Sequence, residues 1–589
     1  MMTAEEIRRR ILDVVLANGG HLASSLGAVE IAMALAETFD PLRDRVVWDV
    51  GHQAYAWKIL TGRDGAFDTL RRAGGVAPFP TPAESKADAA VAGHAGSALS
   101  VALGYASARD RKGTDEHVVA VIGDGSIVNG HSFEALNNCA AATKKVIVVL
   151  NDNGMAISKP AGSFSRFLGR LITGVRYNRV KAAAEAAGHR LKLTFLRSAY
   201  HKLESRIKGL FLGNRFFEEF GLRYIGPIDG HDLRGLRDAF AVARDDKRSV
   251  IVHVVTKKGK GYEPAEKDPT KWHGIAGKVK SKSEEVKSKG DEGESGEKAV
   301  SWSSAFGAAL AEAARADKRI VALTAGMIDG TGLASFAREF PGRCVDVGIA
   351  EGHMVGFAAG LAAGGLKPVV AVYSTFLQRA IDQVIHDVAI AKLPVVFCID
   401  RAGVVGADGV THQGLYDIAL LRAIPNLTIC QPRDADDLRA LLNEALKRQG
   451  PTVIRYPRGC VAGGGGKDAR RETRDAKLAI WATGDWYAKA KAVAARVGGC
   501  EVVHARYLKP FDAELLAAQR AQGLRIVSLE NGCVAGGFGE AIGADVKFGW
   551  PDAFVPHGSP AELERRYGLD VDSIVSRLRP PTSNLQPPT

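Results

Sequence analysis

Long hydrophobic runs are missing from this sequence. No stretch nears the roughly 18 uninterrupted apolar residues of a membrane-spanning helix, so no membrane partner is expected. An apolar leader is missing too: Thr3-Ala4-Glu5-Glu6-Ile7-Arg8-Arg9-Arg10 carries two acids and reads as a helix start, not a targeting peptide. Cysteine pairing signals are absent. Seven cysteines (Cys139, Cys344, Cys398, Cys430, Cys460, Cys500 and Cys533) show neither CxxC nor His–Cys metal spacing. Cys398 ends an apolar strand-like run, which implies a buried, reduced thiol in a cytoplasmic protein. Clustered positive charge is also lacking. The net charge is +12, but Lys and Arg are spread along the chain, mostly on what read as solvated helix faces. Nucleic acid is therefore not an expected partner, and anionic small molecules suit the charge as well. Short-period repeats are absent.

What is present is ordinary globular material: 46% hydrophobic and 24% charged residues over 589 positions, too long for one core. Segments 7–16, 28–39 and 99–111 read as helices, 46–50 as a short strand and 249–256 as another. Strands separated by helices imply a parallel α/β sheet. Residues 275–299 are Lys, Glu, Ser and Gly with almost no large apolar side chain, and read as a linker. A second α/β region follows, with strands expected at 320–324, 344–347, 369–372, 395–399 and 427–431. A Gly-rich stretch from Val461 marks another boundary. The third region has expected strands at 477–482, 501–505 and 525–529. The expected organisation is thus 1–274, linker 275–299, 300–462, 463–578 and a Pro-rich, disordered tail 579–589, with all three domains α/β and largely parallel.

Asp124 and Asn153 form the most informative pair. Asp124 sits in Gly123-Asp124-Gly125, directly after the apolar run 118–122, and Asn153 comes just after the run 146–150, beyond Asn151 and Asp152. Between them, 132–142 reads as a helix. One hard oxygen ligand therefore ends each of two strands, and adjacent strand ends of an open parallel sheet form a ligand crevice. A carboxylate and an amide oxygen suit Mg²⁺, which completes its octahedron with phosphate oxygens and water. Gly123 and Gly125 let a diphosphate approach the backbone closely. A GDG alone is common in turns; the paired Asn with strands on both sides is what lifts it.

This unit resembles the thiamine diphosphate motif of the transketolase group. More narrowly, the strings HLASSLG, WDVGHQAY, YIGPIDGHD, TKKGKGYEPAEKDP, YSTFLQRA, DRAGVVGADGVTHQG and RYPRG resemble the 1-deoxy-D-xylulose-5-phosphate synthase family along nearly the whole chain. YEPAEKDP together with the DRAG loop separates that family from ordinary transketolases. The resemblance implies a transketolase-like fold with two thiamine diphosphate-binding domains and a C-terminal domain. It implies thiamine diphosphate and Mg²⁺ as cofactors and a homodimer. It also implies condensation of pyruvate with D-glyceraldehyde 3-phosphate, with loss of CO₂, at the head of isoprenoid biosynthesis.

The site residues it implies fall into groups. Asp124, Asn153 and Met155 would bind the metal. Gly93, His94, Gly96, Gly123, Gly125 and Ser126 would join them around the cofactor. Glu351, at an expected strand-to-helix junction, would face the aminopyrimidine ring, on which Phe376 would stack. His21, His52 and His94 each follow glycine, and with His273 and His412 they are candidates for proton transfer. Tyr373, Arg379 and Asp408 would line the substrate side. Arg401 and Arg458, on separate Gly-containing loops, would form a phosphate pair. Any one of these taken singly has a structural alternative: a satisfied histidine, a helix N-terminal acid, core packing or a surface ion pair. Departures from the family pattern occur at Ala95-Gly96, Asn129, His131, Gly154 and Gly352. Two rival readings stay open: ketol transfer without decarboxylation, and a cofactor-binding homologue without turnover.

Overall fold

The computed structural model describes residues 2–154, 213–277, 300–461 and 476–579. The expected second boundary at 461–467, apart from Val461, the tail beyond Arg579 and most of the expected linker lie outside the described residues. The chain forms two compact units, Met1–Val279 and Lys280–Thr589.

The first unit contains strands β1 (Gly19–Gly20), β2 (Arg45–Trp48), β3 (Val118–Gly123), β4 (Ile147–Asp152), β5 (Arg223–Asp229), β6 (Val250–Val255) and β7 (Ile275–Ala276). Five of them make one parallel sheet in the order β2-β3-β4-β6-β5. Its central strands are continuous Val and Ile runs because both faces are covered. The side-chain period of two divides them between two cores. Val119 and Val121 join Ile7, Ile11, Leu236 and Phe240 on one face. Val118, Ala120 and Ile122 join Leu99, Leu136 and Phe217 on the other. Helix Ala4–Asn18 opens with a Thr3–Glu6 capping box, and helix Ala98–Lys112 ends at Gly113 in the left-handed conformation, after three basic residues.

Two expectations change here. The strand expected through Val50 stops at Trp48, because Val50 and Gly51 take positive φ (59° and 77°) and turn the chain. The linker expected from 275 begins later: Ile275 and Ala276 pair antiparallel with Gly20 and Gly19.

The second unit holds β8 (Ile320–Thr324), β9 (Cys344–Asp346), β10 (Lys367–Tyr373), β11 (Val396–Asp400), β12 (Thr428–Cys430), β13 (Thr452–Arg455), β14 (Leu478–Ala482), β15 (Cys500–His504), β16 (Tyr507–Lys509), β17 (Arg525–Cys533) and β18 (Val546–Trp550). They form a seven-stranded sheet, β16-β12-β13-β11-β10-β8-β9, and a four-stranded parallel sheet, β15-β14-β17-β18. The larger sheet is parallel except at β16, which pairs antiparallel with β12. So the third sequence region contributes a strand to the edge of the second region's sheet. Strands β5, β13, β16 and β18 are absent from the sequence reading. β5 contains Gly226-Pro227, β16 is three residues long, and β18 carries Lys547 and Gly549, all weak strand signals.

Candidate active site

In the first unit the site residues gather at the carboxyl edge of the sheet. Gly123 of β3 is the register partner of Asn151 of β4, so Asp124 and Asn153 leave adjacent parallel strands side by side. Neither backbone nor packing demands glycine at 123: its φ is ordinary, and a Cβ there would find nothing nearer than Ser126 Oγ at 4.0 Å. That leaves space against the backbone for a ligand. Asp124 is buried, and its carboxyl is pushed up to about 7 by burial and by the neighbouring Asp152. A divalent cation would relieve both causes, so this donor set fits Mg²⁺. Lys258, buried just beyond β6, is pushed down to about 8 by burial, with Asp124 opposing that shift.

Asp49, just past β2, grips the loop that carries His94. Its carboxylate accepts hydrogen bonds from the Gly96 N–H at 2.9 Å and the Ala98 N–H at 3.1 Å. Gly96 has φ +88°, and a Cβ would meet Asn129 at 2.5 Å, so only glycine fits. His21, His52 and His273 form a mutual cluster with ring centroids 5.4–5.9 Å apart. Burial holds His52 and His273 well below the usual imidazole range, helped at His52 by His21 and Lys258 and at His273 by Lys258, His52 and His21, so both are neutral at pH 7. The His52 Nδ1 is buried with no hydrogen-bond partner among the described residues, which fits a polar ligand. Ser24 Oγ lies 3.4 Å from His273 Nδ1. Met155 lies outside the described residues.

In the second unit the candidates again sit at a carboxyl edge, that of the larger sheet. Glu351 opens helix Glu351–Ala363 and is buried. Burial raises its carboxyl, opposed by Arg379, whose Nη1 stands 3.8 Å from Glu351 Oε2. Phe376 stacks on Tyr373 (5.8 Å, 18°) and meets the His412 ring edge-on at 5.7 Å. The Arg401 guanidinium lies over the Tyr373 ring, 4.0 Å from its centroid. Arg458 donates to Val405 O at 3.0 Å and reaches Asp408 at 3.4 Å. The loop from Arg401 to Gly414 is a closed hairpin: Gly403 and Gly414 exchange backbone hydrogen bonds, and Gln413 Oε1 accepts from the N–H groups of Val405 and Gly406. Asp400, at its root, accepts from Ser303 Oγ at 2.6 Å.

Sequence reasoning missed Asp49, Asp152, Lys258 and Asp400. Asp49, Lys258 and Asp400 lie inside quoted strings, but only burial separates Lys258 from the neighbouring exposed Lys257.

The family comparisons agree with this geometry. A 1-deoxy-D-xylulose-5-phosphate synthase model matches residues 1–256, a transketolase pyrimidine-binding domain model 298–462, and a transketolase C-terminal domain model 467–574. The chain is 44% identical to 1-deoxy-D-xylulose-5-phosphate synthase 1 of Geobacter metallireducens, over 98% of this chain and 95% of that protein. It is 43% identical to the synthase of Desulforudis audaxviator, over 97% and 93%. Fold and site therefore define a transketolase-like α/β transferase. Within that class, the chain belongs to the 1-deoxy-D-xylulose-5-phosphate synthase family.

Proposed function

We propose that this protein joins pyruvate to D-glyceraldehyde 3-phosphate with loss of CO₂, giving 1-deoxy-D-xylulose 5-phosphate, with thiamine diphosphate and Mg²⁺ as cofactors. One observation carries the reading: a chain similar along its length to these synthases ends two adjacent parallel strands in a buried, raised carboxyl and an amide. Asp124 and Asn153 would hold Mg²⁺, with Met155 as the third contact. Gly93, His94, Gly96, Gly123, Gly125, Ser126 and Lys258 would hold the diphosphate. Bound there, the cofactor supplies an acidic thiazolium carbon and a cationic ring that takes up the electrons released with CO₂.

The chain's own residues do the rest. Glu351, whose carboxyl burial raises, would share a proton with the aminopyrimidine ring nitrogen. Phe376 would stack on that ring. His21, His52 and His273, the last two neutral, pass protons and hold hydroxyl groups; His412 does the same from the second unit. Tyr373 and Arg379 orient pyruvate, and Arg401 and Arg458 fork the acceptor phosphate, with Asp408 steadying Arg458.

Exposed Phe357, Ile385 and Ile390 in the second unit are apolar surface of the kind a homodimer would cover. All seven cysteines are free, in keeping with a reducing, cytoplasmic setting. The test is pyruvate-dependent consumption of glyceraldehyde 3-phosphate, with CO₂ measured, with and without thiamine diphosphate. Cofactor-dependent CO₂ release matching aldehyde loss is the expected result. Consumption of a ketose donor without CO₂ would assign ketol transfer instead, and cofactor binding without turnover would assign a binding homologue.

A further inference from the structure

We propose that Tyr224 and His253 are positioning residues for the metal-bearing end of β4, acting through Asp152. His253 is the one polar side chain in the Val-Ile run of β6, and it is completely buried. A buried imidazole needs partners on both nitrogens, and this one has them. Tyr224 Oη on β5 is 2.7 Å from His253 Nδ1, and His253 Nε2 is 3.0 Å from Asp152 Oδ2 on β4. The chain of contacts thus crosses three neighbouring strands, β5, β6 and β4. Phe217 stacks flat on Tyr224 (5.9 Å, 11°) and fixes its ring.

The polarity of this chain follows from the end it reaches. Asp152 as a carboxylate only accepts, so the imidazole proton belongs on Nε2. Nδ1 is then an acceptor, and the Tyr224 hydroxyl donates to it. Asp152 sets the tautomer, and the hydroxyl, by donating to Nδ1, supports it from the other side. The other Asp152 oxygen, Oδ1, accepts the Gly154 N–H at 3.0 Å. Asn153 lies inside that two-residue closure, and Gly154 takes φ +67° to complete it. One oxygen of Asp152 is clamped from within the sheet, and the other clamps the turn that presents Asn153. Partners of this kind behind a ligand fix its orientation, and removing them lowers metal affinity without removing a ligand.

The inference rests on the Mg²⁺–thiamine diphosphate reading above. Tyr224→Phe keeps the ring, the stack and the fold, and removes only the hydroxyl. The measurements are Mg²⁺ affinity by calorimetry at saturating thiamine diphosphate, thermal unfolding without cofactor, and the nitrogen NMR signature of the His253 tautomer. The expected result is an Mg²⁺ Kd raised about tenfold, a mixed tautomer, and a cofactor-free protein that still folds but is destabilised by the unpaired His253 Nδ1. His253→Gln, whose amide can still donate to Asp152, should retain more of the affinity than His253→Phe. Wild-type affinity in Tyr224→Phe, or a loss of stability with affinity intact, would overturn the proposal and leave the chain as core packing. Failure of the wild-type protein itself to bind Mg²⁺ with thiamine diphosphate would overturn the reading beneath it.

Discussion

The two sheet edges that carry candidate residues, one in each unit, use the same topological position but differ in what stands beside their buried carboxylates. At the first, Asp124 and Asp152 are buried near each other, and Asp124 is held up to about 7 by burial and that like charge. At the second, Asp400 is equally buried but is raised only to about 6, because Ser303 donates to it and Arg401 and Arg458 stand nearby. At the second edge Asp400 Oδ2 is held by Ser303, while Asp400 Oδ1 is buried without a hydrogen-bond partner among the described residues. Arg401 rests on the Tyr373 ring, an interaction worth roughly 0.5–2 kcal/mol. At the first edge Asp152 is bonded through both oxygens, and Asp124 stands beside it with Lys258 as the nearby cation. A parallel sheet fixes where a site lies; the loops decide which charges stand beside its buried carboxylates.

The sharpest way to break this comparison is at Asp124. Asp124→Ala should abolish Mg²⁺-dependent thiamine diphosphate binding, read by calorimetry, because it removes the proposed carboxylate ligand. Asp124→Asn should do nearly the same while raising cofactor-free stability, by on the order of 1–3 kcal/mol, since it relieves a buried like-charge pair. A variant less stable than wild type without cofactor would show that the first edge carries no strain. Next in size is Glu351. Glu351→Ala should bind cofactor with little change but lose thiazolium C2 hydrogen–deuterium exchange by about 10²–10⁴-fold, the usual weight of a positioned proton donor. Exchange at the wild-type rate would assign that task to another group.

The sequence showed the strands flanking Asp124 and Asn153 because buried parallel strands are plain Val and Ile runs. It showed Glu351 at a helix start because the residues from Met354 on are an apolar, Gly- and Ala-rich run. It did not show β16 crossing to the larger sheet, since a three-residue antiparallel strand has no periodicity to read. Nor did it show Asp49 as the anchor of the His94 loop: that role joins residues 47 and more positions apart, through backbone N–H groups any sequence possesses. Lys258 and Asp152 stayed hidden for a related reason. Their importance comes from burial beside Asp124, and burial of a charge is a property of the assembled edge.

The remaining effects are smaller and belong to the second edge. Arg458→Ala should raise the KM for glyceraldehyde 3-phosphate by the equivalent of about 2–3 kcal/mol, the loss of a charged hydrogen bond. The KM for pyruvate and the rate with unphosphorylated glyceraldehyde should barely move. Arg401→Ala should behave alike. Equal losses with both aldehydes would make these arginines structural and remove the cationic half of the comparison.

The smallest effect expected is at Asn531, which ties the arginine-bearing loop to the four-stranded sheet. Its Oδ1 accepts the Val404 N–H at 3.2 Å and the Trp550 indole N–H at 3.0 Å, and its Nδ2 donates to Asp485 at 3.3 Å. A Cβ on Gly403 would strike the Asn531 side chain at 2.3 Å, so loop and side chain are fitted closely. Asn531→Ala leaves two buried donors without an acceptor, costing roughly 1–3 kcal/mol in unfolding free energy. If the second edge is preformed because this strut holds it, the same variant should raise the KM for glyceraldehyde 3-phosphate severalfold, less than Arg458→Ala does. Thiamine diphosphate affinity, set mainly at the first edge, should stay near wild type. Asn531→Asp should be worse than Ala, because it brings a second carboxylate to Asp485, whose own carboxyl burial already pushes up to about 6. Lost stability with an unchanged acceptor KM would mean that the loop holds its shape by the Gly403–Gly414 pairing and Gln413 alone, and that the second edge is preformed from within.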